Sequence, residues 1–125
     1  MAVKKVLVVD DSPTERHVLV EMLTSAGYTV ITAESGEEGI EKAKAELPDL
    51  VLMDVVMPGL NGYQATRTLT RDDATKHIPV IVFSSIVAED IKRKAQSVGA
   101  DAQISKPEIA LLVETVTRLM KATRG

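Results

Sequence analysis

Cysteine is absent from the chain. That removes disulfides, thiolate metal sites and cysteine nucleophiles at once, and it fits a reducing compartment. An excess of either charge is lacking too. Fifteen basic residues stand against eighteen acidic ones, a net charge of −3. Such a balance gives no electrostatic case for a nucleic-acid or membrane partner. No apolar run approaches the ~18 residues that a bilayer span needs. The opening, MAVKKVLVVDD, starts basic and apolar but meets Asp10 and Asp11 too soon for a secretory signal. The expected location is the cytoplasm. Linkers, internal repeats and low-complexity stretches are missing as well, so residues 1–125 read as one domain. What is present fits that reading: 45% apolar and 26% charged residues, enough for a globular core.

Short apolar runs alternate with amphipathic stretches. Val6 to Val9, Leu50 to Met53 and Ile78 to Phe83 are continuous apolar runs, the last with Pro79 near its start. Strands buried on both faces of a parallel sheet look like this. Tyr28 to Ala33 and Ala102 to Ser105 are more mixed, as edge strands are. Helix starts are written between them. Ser12-Pro13-Thr14-Glu15 offers an N-cap serine, proline at the first helical position and a glutamate three residues after the cap. Val18, Leu19, Met22, Leu23 and Ala26 then predict one buried face, and Gly27 a stop. Ser35-Gly36-Glu37-Glu38 repeats the cap, followed by Ile40, Ala43 and Leu47. Asn61-Gly62-Tyr63-Gln64 opens a third helix. Ile91, Ala95 and Val98 mark a fourth, closed by Gly99. Ile109, Leu112, Val113, Val116, Leu119 and Met120 mark a fifth. The order is β-α five times over, which predicts a doubly wound α/β fold: a parallel sheet with helices on both faces and right-handed crossovers.

Open parallel sheets bind ligands beyond the carboxyl ends of their strands. Asp10 and Asp11 follow the first run, Asp54 the third, Ser84 the fourth, and Lys106 with Pro107 the fifth. Three carboxylates, a hydroxyl and an ammonium would gather at one sheet edge. An aspartate after a strand is most often a turn former; the joint occurrence at successive strand ends is harder to dismiss. Three carboxylates in one pocket repel each other, and a hard divalent cation relieves the repulsion. Oxygen ligands without histidine or cysteine suit Mg²⁺, or Mn²⁺, rather than zinc. Lys106 would then meet a phosphate as a point charge and Ser84 as a donor. A carboxylate so surrounded can accept a phosphoryl group.

Asp10-Asp11, Asp54 with MPG after it, Ser84 and Lys106-Pro107 together resemble the receiver domain of two-component response regulators, over essentially the whole chain. DDSPTE and MDVVMPGLNGYQATR are similar to the PilH-like regulators of twitching motility within that family. The resemblance implies a CheY-like (βα)5 flavodoxin-like fold with strand order 2-1-3-4-5. It implies phosphorylation of Asp54 and a Mg²⁺ site made by Asp10 or Asp11, Asp54 and the backbone carbonyl of Val56, with Asp11 the more direct ligand of the acidic pair. It makes Ser84 the switch hydroxyl, Lys106 the phosphate-sensing cation and the Lys106–Pro107 bond cis. It further implies a monomer that a histidine kinase phosphorylates. Its target protein would meet the face of the fourth helix, fifth strand and fifth helix. One departure stands out. The family has an aromatic residue three places before the lysine, and this chain has Gln103. Val56 and Ile86, apolar and β-branched, stand two places after the acceptor and the switch residue, and predict a slowly hydrolysed phosphoryl group.

Other readings are weaker. A Mg²⁺-dependent aspartyl phosphohydrolase wants a second carboxylate where Val56 stands. A flavin carrier wants a hydroxyl-rich phosphate loop where Asp10-Asp11 stands. A binding module without phosphorylation leaves the acidic set unexplained, whereas a phosphate sink for another regulator uses the same chemistry. His17 reads as a helix-surface residue, His77 as a solvated loop residue and Lys92-Arg93-Lys94 as a solvated helix face.

Overall fold

A computed structural model describes residues 4–54, 62–84, 102–105 and 114–118, the backbone alone for 83–84 and 102–105. Five parallel strands form one sheet: β1 (Lys5–Val9), β2 (Thr29–Ala33), β3 (Leu50–Asp54), β4 (Val80–Ser84) and β5 (Ala102–Ser105). Their spatial order is β2-β1-β3-β4-β5, as the flavodoxin-like resemblance implies. Among the described residues the helices are α1 (Pro13–Ser25), α2 (Gly36–Glu46) and α3 (Gly62–Arg71), and residues 114–118 are also helical. The apolar positions expected for the fourth helix lie outside the described residues, as do those of the fifth except Val116.

The continuous apolar runs become central strands because both their faces are covered. Val6, Val8, Leu50, Leu52 and Ile81 pack with Leu19 and Leu23 of α1 and with Val116. Leu7, Val9, Val51, Met53, Val80 and Val82 point the other way, against Ala43 of α2 and Ala65 and Leu69 of α3. The period-two alternation of a strand thus divides one run between two cores. Each fully buried Leu or Val contributes roughly 1.5–3 kcal/mol of apolar transfer. β2 lies at the sheet edge, and its residues are correspondingly mixed in burial.

Caps start α1 and α2 where expected, and Asn61, the cap expected for α3, lies outside the described residues. Ser12 Oγ accepts from the Glu15 amide and Ser35 Oγ from the Glu38 amide. Gly27, at φ +98°, turns the chain out of α1 in a region costly for a residue with a Cβ. Three expected burials fail. The buried face of α1 narrows to Leu19 and Leu23, while Val18 is 43% exposed. Val18 lies about 100° around the helix from Leu19, and Ala26 is exposed because it already belongs to the helix end. Leu47 is exposed too: α2 ends before Pro48, which has no amide to donate, and Leu47 closes it in the left-handed region at φ 47°. Among the described residues no helix is long and apolar enough to cross a membrane.

Candidate functional site

Parallel pairing brings the strand ends to one edge of the sheet. Val9 pairs with Met53, so the next residues, Asp10 and Asp54, emerge side by side. Asp54 pairs in turn with Phe83 of β4, and Ser84 with Ser105 of β5. Asp10, Asp54, Ser84 and the residue before Lys106 therefore mark the same carboxyl edge.

Asp10 and Asp54 are both buried. Asp10, Asp54 and Glu15 each offer a carboxylate oxygen within 4.8 Å of the others. The loop that carries Asp10 is tied down on several sides. Its amide donates to Ala33 O at 3.1 Å, and its carbonyl accepts from Arg16 Nη1 at 2.7 Å. Arg16 Nη2 also reaches Glu34 at 3.2 Å. The guanidinium thus bridges the backbone of one loop and an exposed side chain of the next.

The two serine caps differ in how their glutamates are used. A reciprocal capping box has the third-turn-position glutamate accept from the cap region's backbone. In α2 Glu38 does something close to this, accepting from the Glu34 amide at 2.7 Å. In α1 the Ser12 amide is taken by Asp10 Oδ1 at 2.9 Å. Glu15 is thereby turned from the cap toward the two aspartates. Its residue type was legible as a capping partner; its membership of the acidic group was missed, as was the hold of Arg16 on Asp10. The signal for Glu15 was available: an aspartate two residues before an N-cap can occupy the cap amide itself.

Burial pushes the Asp10 carboxyl up to about 8. The hydrogen bond with Glu15 and the charges of Asp54 and Glu15 act in the same direction, and the Ser12 amide opposes them. Asp10 Oδ2 is buried with no hydrogen-bond partner. A buried, crowded carboxyl group with an unfilled oxygen is what a divalent cation relieves, and the ligand atoms on offer are all oxygens. The start of α1 adds the positive end of its macrodipole beside them. Asp10, Glu15 and Asp54 therefore fit a hard cation. His17 has no part in this: it is exposed and pairs with Glu21 at 3.0 Å.

Of the residues expected at the site, the structure brings Asp10 and Asp54 together. Asp11 is exposed and lies outside the acidic group. Ser84 ends β4 at the same edge, and Gln103 lies on β5 opposite Val82. Val56, Ile86, Lys106 and Pro107 lie outside the described residues.

Residues 6–117 match the family model of the response regulator receiver domain. The chain is 44% identical over 117 residues to protein PilH of Pseudomonas aeruginosa, covering 93% of this chain and 97% of PilH. Its fold superposes on chemotaxis protein CheY4 of Vibrio cholerae with a TM-score of 0.87 at 31% identity, covering 94% of this chain and 98% of CheY4. The receiver domain of a Pseudomonas aeruginosa sensor histidine kinase, solved with a magnesium ion coordinated in its active site cleft, gives a TM-score of 0.87 at 27% identity, covering 96% of this chain and 99% of that one.

Proposed function

The chain belongs to the response regulator receiver family, and from that premise we propose that it is a phosphorylation-controlled switch with Asp54 as the phosphoryl acceptor. Receiver domains bind Mg²⁺ in an acidic pocket and interact with histidine kinases and downstream targets. The observation that carries the reading is the placement of Asp54. Its carboxylate is buried at the end of a central strand, beside a second buried aspartate, at the edge where strand-end residues converge.

The chemistry is transfer to that carboxylate. An Asp54 oxygen attacks the phosphorus of a phosphohistidine on the kinase. The new P–O bond forms as the P–N bond breaks, and the departing imidazole keeps the electron pair and takes a proton from solvent. The fold helps by fixing the nucleophile: Asp54 is the last residue of β3, between β1 and β4. A metal site of Asp10, Asp11, Asp54 and the backbone carbonyl of Val56, holding Mg²⁺ or Mn²⁺, would supply positive charge against the crowded carboxylates and the phosphoryl oxygens. Lys106 offers a second positive charge and Ser84 a hydroxyl that donates to the phosphoryl group once it is attached. Ser84 then biases a two-state rearrangement of its loop and of the face around β5, where a target protein reads the state.

The similarity to PilH supports a role in pilus-based or chemotactic motility in the cytoplasm. The chain acts on another protein's behaviour and is not an enzyme with a substrate of its own: Val56 stands where a phosphohydrolase places its second acid/base carboxylate. The test is intact-mass spectrometry after incubation with acetyl phosphate. The wild type with Mg²⁺ gains one phosphoryl adduct; with EDTA, or as Asp54→Asn, it gains none. An adduct that persists in Asp54→Asn would remove Asp54 from the acceptor position.

A further inference from the structure

We propose that Glu15 is itself a ligand of the divalent cation, in company with Asp10 and Asp54. This inference rests on the cation-dependent reading of the site and adds a carboxylate that the strand-end positions do not include.

Three observations carry it. First, a Glu15 oxygen lies within 4.8 Å of oxygens from both Asp10 and Asp54. Ligands around one Mg²⁺ or Mn²⁺ ion stand about 3 Å apart when adjacent and about 4 Å when opposite, given metal–oxygen distances of about 2.0–2.2 Å. The three carboxylates are thus near the spacing that one ion imposes. Second, Asp10 Oδ2 is wholly buried and has no hydrogen-bond partner. An unfilled buried oxygen at a site of crowded carboxyl groups is where an ion binds. Third, Asp10 Oδ1 has taken over the Ser12 amide, the bond that a capping glutamate would otherwise receive. The helix start is therefore complete without the Glu15 side chain. Arg16, one residue on, directs its guanidinium to the Asp10 carbonyl and to Glu34.

Asp11 is exposed and outside this group, and Glu15, in the first turn of α1, is the carboxylate beyond the acidic pair that the fold brings to it. A third carboxylate has a consequence for selectivity. Mg²⁺ holds its waters tightly and usually takes one or two carboxylates; Mn²⁺ accepts more. Glu15 should therefore favour Mn²⁺ over Mg²⁺ relative to a site that lacks it.

The test is Mn²⁺ binding to the full chain, followed by electron paramagnetic resonance of the free ion, with circular dichroism confirming the fold. Glu15→Gln keeps the size and loses the charge. Glu15→Asp keeps the charge and withdraws the carboxylate by one carbon. A ligand role predicts that both weaken Mn²⁺ binding by about tenfold or more, and that Glu15→Gln loses more affinity for Mn²⁺ than for competing Mg²⁺. Binding within twofold of wild type in Glu15→Gln would overturn the inference. So would wild-type affinity in Glu15→Asp, which would reduce Glu15 to a distant charge. A wild type that binds neither ion would instead overturn the cation-dependent reading on which this rests.

Discussion

At the residue scale, Asp10 governs how the site responds to pH. Its carboxyl, pushed up to about 8 by burial first and by Glu15 and Asp54 next, stays protonated in the fold across a range where the unfolded chain is ionised. The folded state then holds more protons than the unfolded state between about pH 4 and about pH 8, so stability falls as pH rises through that window. Glu38 acts in the opposite sense. The Glu34 amide holds its carboxyl below the usual range, so its contribution is present above that range and lost as pH falls through it. In EDTA the melting temperature should therefore decline from about pH 5 to about pH 8. Asp10→Asn should flatten that decline, and Mg²⁺ added at the alkaline end should raise the wild-type value by mass action. Thermal melts followed by circular dichroism decide the matter. A flat wild-type profile, or an equal slope in Asp10→Asn, would contradict the assignment. Sequence reasoning reached Asp10 and Asp54 because strand ends of a parallel sheet are countable from the runs. It did not reach Glu15, because a glutamate three residues past a serine has a sufficient local use. Only the path of the Ser12 amide reveals that the use is filled by Asp10.

At the element scale, strands and caps were legible for a plain reason. A strand covered on both faces must be apolar at every position, and Val6 to Val9 and Leu50 to Met53 are. The limits of burial were less legible, because periodicity marks a face but not where a helix stops. Leu47 continues the α2 pattern, yet Pro48 ends the helix and leaves Leu47 outside. Closeness between elements was also hidden. At Gly39 of α2 an added Cβ would lie 2.8 Å from Val9 Cγ2 and 3.1 Å from Cγ1. Val9 is buried and β-branched and has little room to turn. Gly39→Ala should gain up to about 1 kcal/mol of helix propensity but cost about 1–3 kcal/mol through overpacking, for a net loss in urea unfolding. Val9→Ala should cancel part of that loss in the double variant. A Gly39→Ala protein as stable as wild type would mean that α2 can lift from β1 at no cost. Val9 precedes Asp10, so this contact also sets how firmly the acidic loop is seated.

At the scale of the whole molecule, the alternation of runs and caps implied a doubly wound sheet, and the sheet is there. Its strand order was another matter. Nothing in the period of Leu50 to Met53 says that β3 lies beside β1 rather than β2; the family resemblance supplied the order, and the pairing of Val6 with Leu50 and of Val51 with Val80 displays it. That order puts β3 between β1 and β4, and so puts Asp54 between Asp10 and the end of β4. The central claim is that this position, and no other carboxylate of the cluster, receives the phosphoryl group. Borohydride tests it most directly, because it reduces an aspartyl phosphate to homoserine and so records the site in the covalent chain. Wild-type protein labelled by acetyl phosphate with Mg²⁺, reduced and digested, should yield homoserine at position 54 alone when the peptides are sequenced by mass spectrometry. Homoserine at position 10 or 11, a reduced side chain at position 15, or an unmodified position 54 in fully labelled protein would contradict the account.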